Sequence, residues 1–365
     1  MENEMKKEAI NYARMACDTI MKKFKAEDLP PKSHFLYHGG VFLSGMLNTY
    51  KLCNEEKYAQ YIEDWANSMI FPDGSIYFSD RGMLDYIQPA ILLFFLYRRT
   101  GDEKYNLALR NFMEVLRRWP KNKLGGFWHK YEHPNEMWLD GIYMAGPLEA
   151  EYAYRYDEPE FLNTAVEQIL IMHDNMRDEK TGLLYHAWDC TKKINWADKK
   201  TGLSSEVWGR ALGWYVVAVL DIMRYMPKEH PQYETVKNIE KEMLIDIIRY
   251  QDEESGLWYQ VVDKGYRTDN WLETSCSSLF TAAIARAVQT RVLDEGYAQT
   301  AMKGFNGIIK RLKKDDNGLI IDGICIGTSV NDYEGYISRP TSENDLHGVG
   351  AFLLMCTEVA KMFQQ

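Results

Sequence analysis

The sequence predicts an all-α fold, an (α/α)6 toroid of six helical hairpins, with residues 1–365 forming a single domain. Three observations lead there. Apolar residues recur at helical spacing along nearly the whole chain, whereas the alternation expected of strands is weak. Two kinds of helix alternate, one amphipathic and one apolar nearly all round. The pairs repeat loosely, at roughly 45–70 residues, which is too irregular for an ordinary solenoid.

The first kind is seen in "KYNLALRNFMEVLRRW", where Tyr105, Leu109, Phe112, Leu116 and Trp119 fall at steps of 4, 3, 4 and 3. Arg110, Glu114 and Arg117 lie off that stripe, as on a surface helix. The second kind is "WGRALGWYVVAVLDIM", residues 208–223, apolar on every side after its first turn and therefore buried. Outer helices are expected near 4–25, 56–70, 104–119, 159–176, 232–252 and 295–313. Inner helices are expected near 39–53, 83–99, 137–156, 205–226, 275–292 and 342–363. Closing the hairpins into a ring places the apolar helices inside. Two long loops, 177–204 and 255–274, interrupt the alternation and are rich in Trp, Tyr, His and charge. Loops of that length in compact domains are functional or disordered, and the aromatic content favours function. Their Thr-Gly and Ser-Gly pairs mark turns.

Composition narrows the function. Apolar residues make up 46% of the chain, ample for a large core, and 24 Tyr with 10 Trp exceed what a plain core needs. Aromatic rings are favoured where flat ligands or sugars stack. A net charge of −10 excludes the basic surface that nucleic acid requires. The cysteines at 17, 53, 190, 276, 325 and 356 form no C-x-x-C pair, so no structural zinc or redox motif is indicated. They suit a reducing compartment. "MENEMKKEAINYARMACDTIMKKF" reads as an amphipathic helix rather than a signal peptide, and "PAILLFFLY" is too short to span a bilayer. The expectation is a soluble cytoplasmic protein with no membrane or nucleic-acid partner.

In a toroid the starts of the inner helices converge at one mouth, and the residues there are unusual. They read "YHGG" (Tyr37, His38), "GMLDYIQP" (Asp85), "MWLDGIYM" (Asp140), "EVWGRALGW" (Trp208, Arg210, Trp214), "NWLETS" (Trp271, Glu273) and "SENDLHGVG" (Asp345, His347). "GFWHK" (His129) and "YHAWD" (His186, Asp189) precede two of them. Each residue has a plainer reading. Asp140 before Gly141 and Asp85 can each be a helix cap. His129 and His186 can be structural, Trp208 and Trp214 core, and Asp345 and His347 structural. Asp189 can be a turn residue. Arg210, in an apolar helix, needs an anion, either Glu206 one turn earlier or a substrate carboxylate. No G-x-S-x-G, H-E-x-x-H, Walker loop or G-x-G-x-x-G is present. Carboxylates beside aromatic rings suggest carbohydrate chemistry, in which one acid keeps its proton near neutral pH. Apolar neighbours such as Trp138 and Tyr143 would raise the pKa of Asp140 by desolvation.

With "GFWHK", "MWLDGIYMAGP", "YHAWD", "WGRALGWY" and "NDLHGVGAFLLM" quoted, the chain resembles glycoside hydrolase family 105, the unsaturated rhamnogalacturonyl hydrolases. It is more distantly similar to the unsaturated glucuronyl hydrolases of family 88. The resemblance runs from Tyr37 to Met355 and implies an (α/α)6 barrel. It also implies a reaction on the 4,5-unsaturated uronic acid that polysaccharide lyases leave at a non-reducing end. An acid protonates C4, water adds at C5, and the hemiketal opens to release the second sugar, without metal or organic cofactor. On this pattern Asp140 matches the acid and Asp85 the second carboxylate. His129, His186 and Arg210 match positions around the uronate, with Arg210 placed for a bidentate grip on its carboxylate. Trp208 and Trp214 match aromatic walls, and Tyr37 and His38 complete the pocket. The expected partner is an unsaturated uronyl disaccharide, with unsaturated galacturonyl-rhamnose the family's usual substrate. Two other readings share the architecture. A sugar epimerase would put paired histidines (His186 with His347 or His129) at the centre, and a helical-repeat scaffold would bind protein along its concave face.

Overall fold

Helical spacing in the sequence becomes helix almost throughout the computed structural model, which describes residues 2–77 and 82–363; the single-domain reading of 1–365 extends over the few residues outside them. In chain order the helices are α1 (Glu2–Lys23), α2 (Tyr37–Cys53), α3 (Glu56–Asn67), α4 (Leu92–Thr100), α5 (Glu103–Arg117), α6 (Asp140–Tyr156) and α7 (Pro159–Met176). They continue with α8 (Gly209–Met223), α9 (Tyr233–Ile248), α10 (Thr274–Gln289), α11 (Ala298–Arg311), the single-turn α12 (Tyr333–Ile337) and α13 (Leu346–Met362). Helices α2, α4, α6, α8, α10 and α13 form the inner ring. Each packs on the next, with the turn Gln88–Ile91 ahead of α4 serving as its contact with α2 and α6, and α13 returns to α2. The helices α1, α3, α5, α7, α9 and α11 pack outside them.

The two helix types are buried as their patterns require. Helix α5 buries one stripe from Tyr105 to Leu116, whereas α8 buries every residue from Gly209 to Ile222 except Asp221. Ring closure needs close approach between α13 and α2. A Cβ on Gly350 would lie 2.6 Å from the Val41 backbone, so any side chain there would push the two helices apart. The buried apolar side chains form one contiguous cluster.

Departures from expectation lie at the inner-helix starts. The helix expected near 83–99 begins as two 3-10 turns, Leu84–Tyr86 and Gln88–Ile91, and only then becomes α4. Pro89 has no N–H to donate and restricts the residue before it, so the α-helical ladder cannot start earlier. The helix expected from 137 starts at Asp140. Glu136–Trp138 (β1) instead pairs antiparallel with Ala187–Asp189 (β2), in register Trp138↔Ala187. Lys313–Asp315 (β3) and Gly318–Ile320 (β4) make a hairpin, and Ile324–Cys325 (β5) pairs with Thr341–Ser342 (β6). In both long loops the turns are hairpin ends: Asp178, Asp198 and Asp252 accept backbone N–H groups, and Gly182, Gly202 and Gly256 follow at positive φ.

Backbone hydrogen bonds lace these entry loops together around the mouth. Leu84 N donates to His129 O, His129 N to Glu136 O, Leu139 N to His186 O and His186 N to Glu206 O. The belt continues through Gly209 N to Gln260 O, Glu273 N to Trp258 O and Thr274 N to Gly323 O. It fixes where each first helical turn presents its side chains.

Candidate active site

Asp140 is the first residue of α6, and its side chain is not a cap: the capping position is Leu139, with no side-chain cap bond. Its Oδ2 lies 3.0 Å from Nε2 of His186, delivered by the loop ahead of α8. On the other side of that imidazole, Nδ1 is 2.6 Å from the Tyr336 hydroxyl of α12. The Asn331 N–H donates to the Tyr336 oxygen, leaving the phenol proton for His186 Nδ1. On this network the imidazole donates Nε2–H to Asp140.

A second pair stands beside the first. Asp85 Oδ1, in the 3-10 turn ahead of α4, is 3.3 Å from His129 Nε2. Trp138 holds the two histidines apart, stacked on His129 at 4.4 Å and 10° and edge-on to His186 at 5.5 Å. Trp208 closes the far side, 4.7 Å from His186 and stacked on Tyr336 at 5.7 Å. The carboxylates are the reachable groups: the Asp140 and Asp85 side chains are 13% and 15% exposed, against 0% for His186 and 3% for His129.

Arg210 corrects two expectations. Glu206 is not its partner, since that carboxylate pairs with Lys264. Nor is its fork free for a bidentate grip: Nη1 donates to the Cys325 carbonyl and Nη2 to the Ile326 carbonyl at 2.8 Å. Its guanidinium lies 4.5 Å from the Trp208 ring and is fully buried. A buried cation with only carbonyls and a ring as direct neighbours acts on the site through its field.

That field decides the charge of Asp140. Burial raises its pKa, but the hydrogen bond from His186 and the electrostatic influence of His186, His129 and Arg210 outweigh burial and hold the carboxyl below the ordinary value. The expectation of a raised pKa is therefore overturned. Apolar neighbours supply only one side of the balance, and the sequence does not show which cations the fold brings near.

A third group completes the mouth. Tyr37 and His38, at the start of α2, lie against each other with ring centroids 4.1 Å apart, and His38 meets His347 edge-on at 5.3 Å. Burial lowers the His38 pKa to about 4, helped by the neighbouring His347. His347 Nδ1 is 2.8 Å from Asp345 Oδ1 and its Nε2 donates to the Cys325 carbonyl that also receives Arg210. His38, Asp345 and His347 present ligand atoms within 4.8 Å of one another and are the group that could hold a metal ion among the described residues. The Tyr37 hydroxyl feels Arg210, Asp85, Asp140 and Asp345, so these elements face one space.

Trp214 does not join them. It sits one turn deeper on α8, stacked on Tyr143 at 4.5 Å, and both line the cavity beyond the mouth. Glu273 caps α10 by accepting from Cys276 N and also accepts from Cys325 N, which pins the strand that holds Arg210. Asp189 is the turn residue its plainer reading described, accepting from the N–H groups of Thr191, Lys193 and Ile194. Sequence reasoning missed Tyr336, gave Trp138 only the part of an apolar neighbour of Asp140, and left Lys130 without a role. Lys130 Nζ lies 5.3 Å from the Trp138 ring centroid, half-buried and without an ion-pair partner among the described residues. For Tyr336 the available signal was Asp332, whose side chain caps α12 by accepting from Gly335 N.

The model of Glycosyl Hydrolase Family 88 matches residues 12–363. The chain belongs to that family. It is also similar to a family 105 glycoside hydrolase of known structure from Clostridium acetobutylicum (C. acetobutylicum ATCC 824), with 32% identity, a TM-score of 0.91, and 96% of this chain and 99% of that one covered. An unsaturated 3S-rhamnoglycuronyl hydrolase from Alteromonas sp. (strain LOR) is 25% identical over 229 residues, 61% of this chain and 50% of that protein. The unsaturated glucuronyl hydrolase of Bacillus sp. GL1 shares the fold at 17% identity, with a TM-score of 0.72 over 96% of each chain. Membership of the family 88 and 105 group makes the chain a glycoside hydrolase for unsaturated uronides.

Proposed function

We propose that this family 88/105 enzyme removes the 4,5-unsaturated uronic acid from lyase-generated disaccharides, with unsaturated galacturonyl-rhamnose as its substrate and Asp140 as its acid. The observation that carries the reading is the order of the two layers at the mouth. The carboxylates of Asp140 and Asp85 face the opening, and the histidines stand buried behind them. A paired-histidine epimerase would need the reverse.

The charge balance suggests how Asp140 acquires its proton. Burial is the largest single influence on it, and cations offset that influence. The substrate's own carboxylate, entering beside Lys130 and within the field of Arg210, cancels much of that positive potential. Burial then prevails, and Asp140 takes up a proton only when substrate is present. It passes that proton to C4, the C4=C5 electron pair forming the new C–H bond. The ring oxygen stabilises the cation left at C5, and water adds there while the Asp140 carboxylate accepts its proton. The resulting hemiketal opens and the second sugar leaves. His186, held by Tyr336, orients Asp140. Asp85, backed by His129, positions the sugar, and Tyr37 with His38 lines the far wall.

Six unpaired cysteines, five of them buried, support a reducing compartment, and we place the enzyme in the cytoplasm. No helix among the described residues is long and apolar enough to cross a membrane. The continuous core supports reading the chain as one catalytic domain. The test is ultraviolet absorbance of the unsaturated disaccharide, because hydration destroys the conjugated chromophore. The signal should decay with the wild type and persist with Asp140→Asn. Decay with both proteins would transfer the acid's role to Asp85, and persistence with both would refute the reaction.

A further inference from the structure

A cavity of about 650 Å³ lies away from the mouth, in the lumen of the inner ring. That is the size range of small-molecule sites. Its wall holds one cation from the end of each inner helix: Lys51 of α2, Arg98 of α4, Arg155 of α6, Arg224 at the cap of α8, Arg286 of α10 and Lys361 of α13. Three acids meet three of them. Glu151 pairs with Arg155, Asp221 and Glu358 with Arg286, and Glu358 also with Lys361 at 2.7 Å. Lys51, Arg98 and Arg224 have no ion-pair or side-chain hydrogen-bond partner among the described residues, and all three are open to the cavity. Burial, Arg224, Lys361 and Arg98 together push the Lys51 ammonium down to about 8, against the opposing influence of Glu151.

The chain as a whole carries −10, so this concentration of positive charge runs against its overall sign. Helix C-termini favour a cation each. They do not require an open chamber between those cations, with the stacked Tyr143 and Trp214 in its wall. We propose that the lumen is a second binding site, taking a small organic polyanion whose carboxylate or phosphate groups meet Lys51, Arg98 and Arg224. The site is independent of the hydration reaction and shares no charged residue with the mouth.

Citrate and glucose 6-phosphate, titrated calorimetrically into the full chain at low salt, test this and separate the two anion types. One ligand per chain is expected for at least one of them. Lys51→Met and Arg224→Met should each weaken binding about tenfold, while Lys51→Arg retains it, since one charge contact is worth about 1.4 kcal/mol. Thermal melting of the same variants shows whether they are folded. Absence of saturable binding by both probes overturns the proposal, as does binding that the two Met variants leave unchanged. If the cations serve only the helix ends, the Met variants lower the melting temperature and no probe binds.

Discussion

The two ends of the inner ring use the same helices for opposite chemistry. At the N-terminal end, first turns and the loops before them bring together Asp140 with His186, Asp85 with His129, and Asp345 with His347. At the C-terminal end, last turns bring together Arg155 with Glu151, Arg286 with Asp221 and Glu358, and Lys361 with Glu358. Helix polarity favours this division, since carboxylates suit N-termini and cations suit C-termini. The partners differ in a further way. An imidazole can exchange a proton with its carboxylate partner, whereas guanidinium–carboxylate pairs stay charged. One end is suited to moving protons and the other to holding charge.

Variants at the two ends should therefore fail differently. Asp140→Asn should lower turnover of the unsaturated disaccharide about a thousandfold with little change in melting temperature, as expected for loss of a general acid. A variant that melted early but turned over normally would break the division. At the other end, Arg286→Met strands Asp221, leaves Glu358 with Lys361 alone and should cost about 3 kcal/mol in urea unfolding. Its kcat should be unchanged, and a large fall would tie the lumen to catalysis. Tyr336→Phe removes the hydroxyl 2.6 Å from His186 Nδ1. It should lower kcat about tenfold with little change in KM, the effect of one charge-assisted hydrogen bond.

An effect that depends on pH lies between the ends, at Glu149 of α6. Burial pushes its pKa up to about 8, so the native state holds it neutral. A raised native pKa contributes stability that is complete below the unfolded value of 4.5 and is lost as pH rises toward 8. Glu149→Gln keeps the shape without a charge. It should match the wild type in acid and melt progressively higher than the wild type as pH rises toward 8. Equal melting curves across that range would place Glu149 in a wetter environment than its burial indicates.

Much of the mouth was legible because first turns of ring helices converge by topology alone. Asp140, Asp85, His129, His186, Tyr37 and His38 were all identified from that phase, and the structure gathers them. Trp214 shares the helix of Arg210 but sits a turn too deep. Tyr336 was illegible as a partner because 150 residues separate it from His186, and α12 is too short to show a period. The ring of cations at the other end was visible only as ordinary basic residues in last turns, a pattern that helix polarity produces anyway.

The sequence by itself determined the twelve-helix ring, which helices lie inside and which end carries the carboxylates. Those properties follow from local periodicity and helix direction. Only the tertiary structure decided that Arg210 is committed to two carbonyls, that the histidines stand behind the carboxylates, and that Asp140 is held ionised. Each depends on distances between groups remote in the chain, and at these distances the balance of desolvation against nearby charge decides the state of every acid.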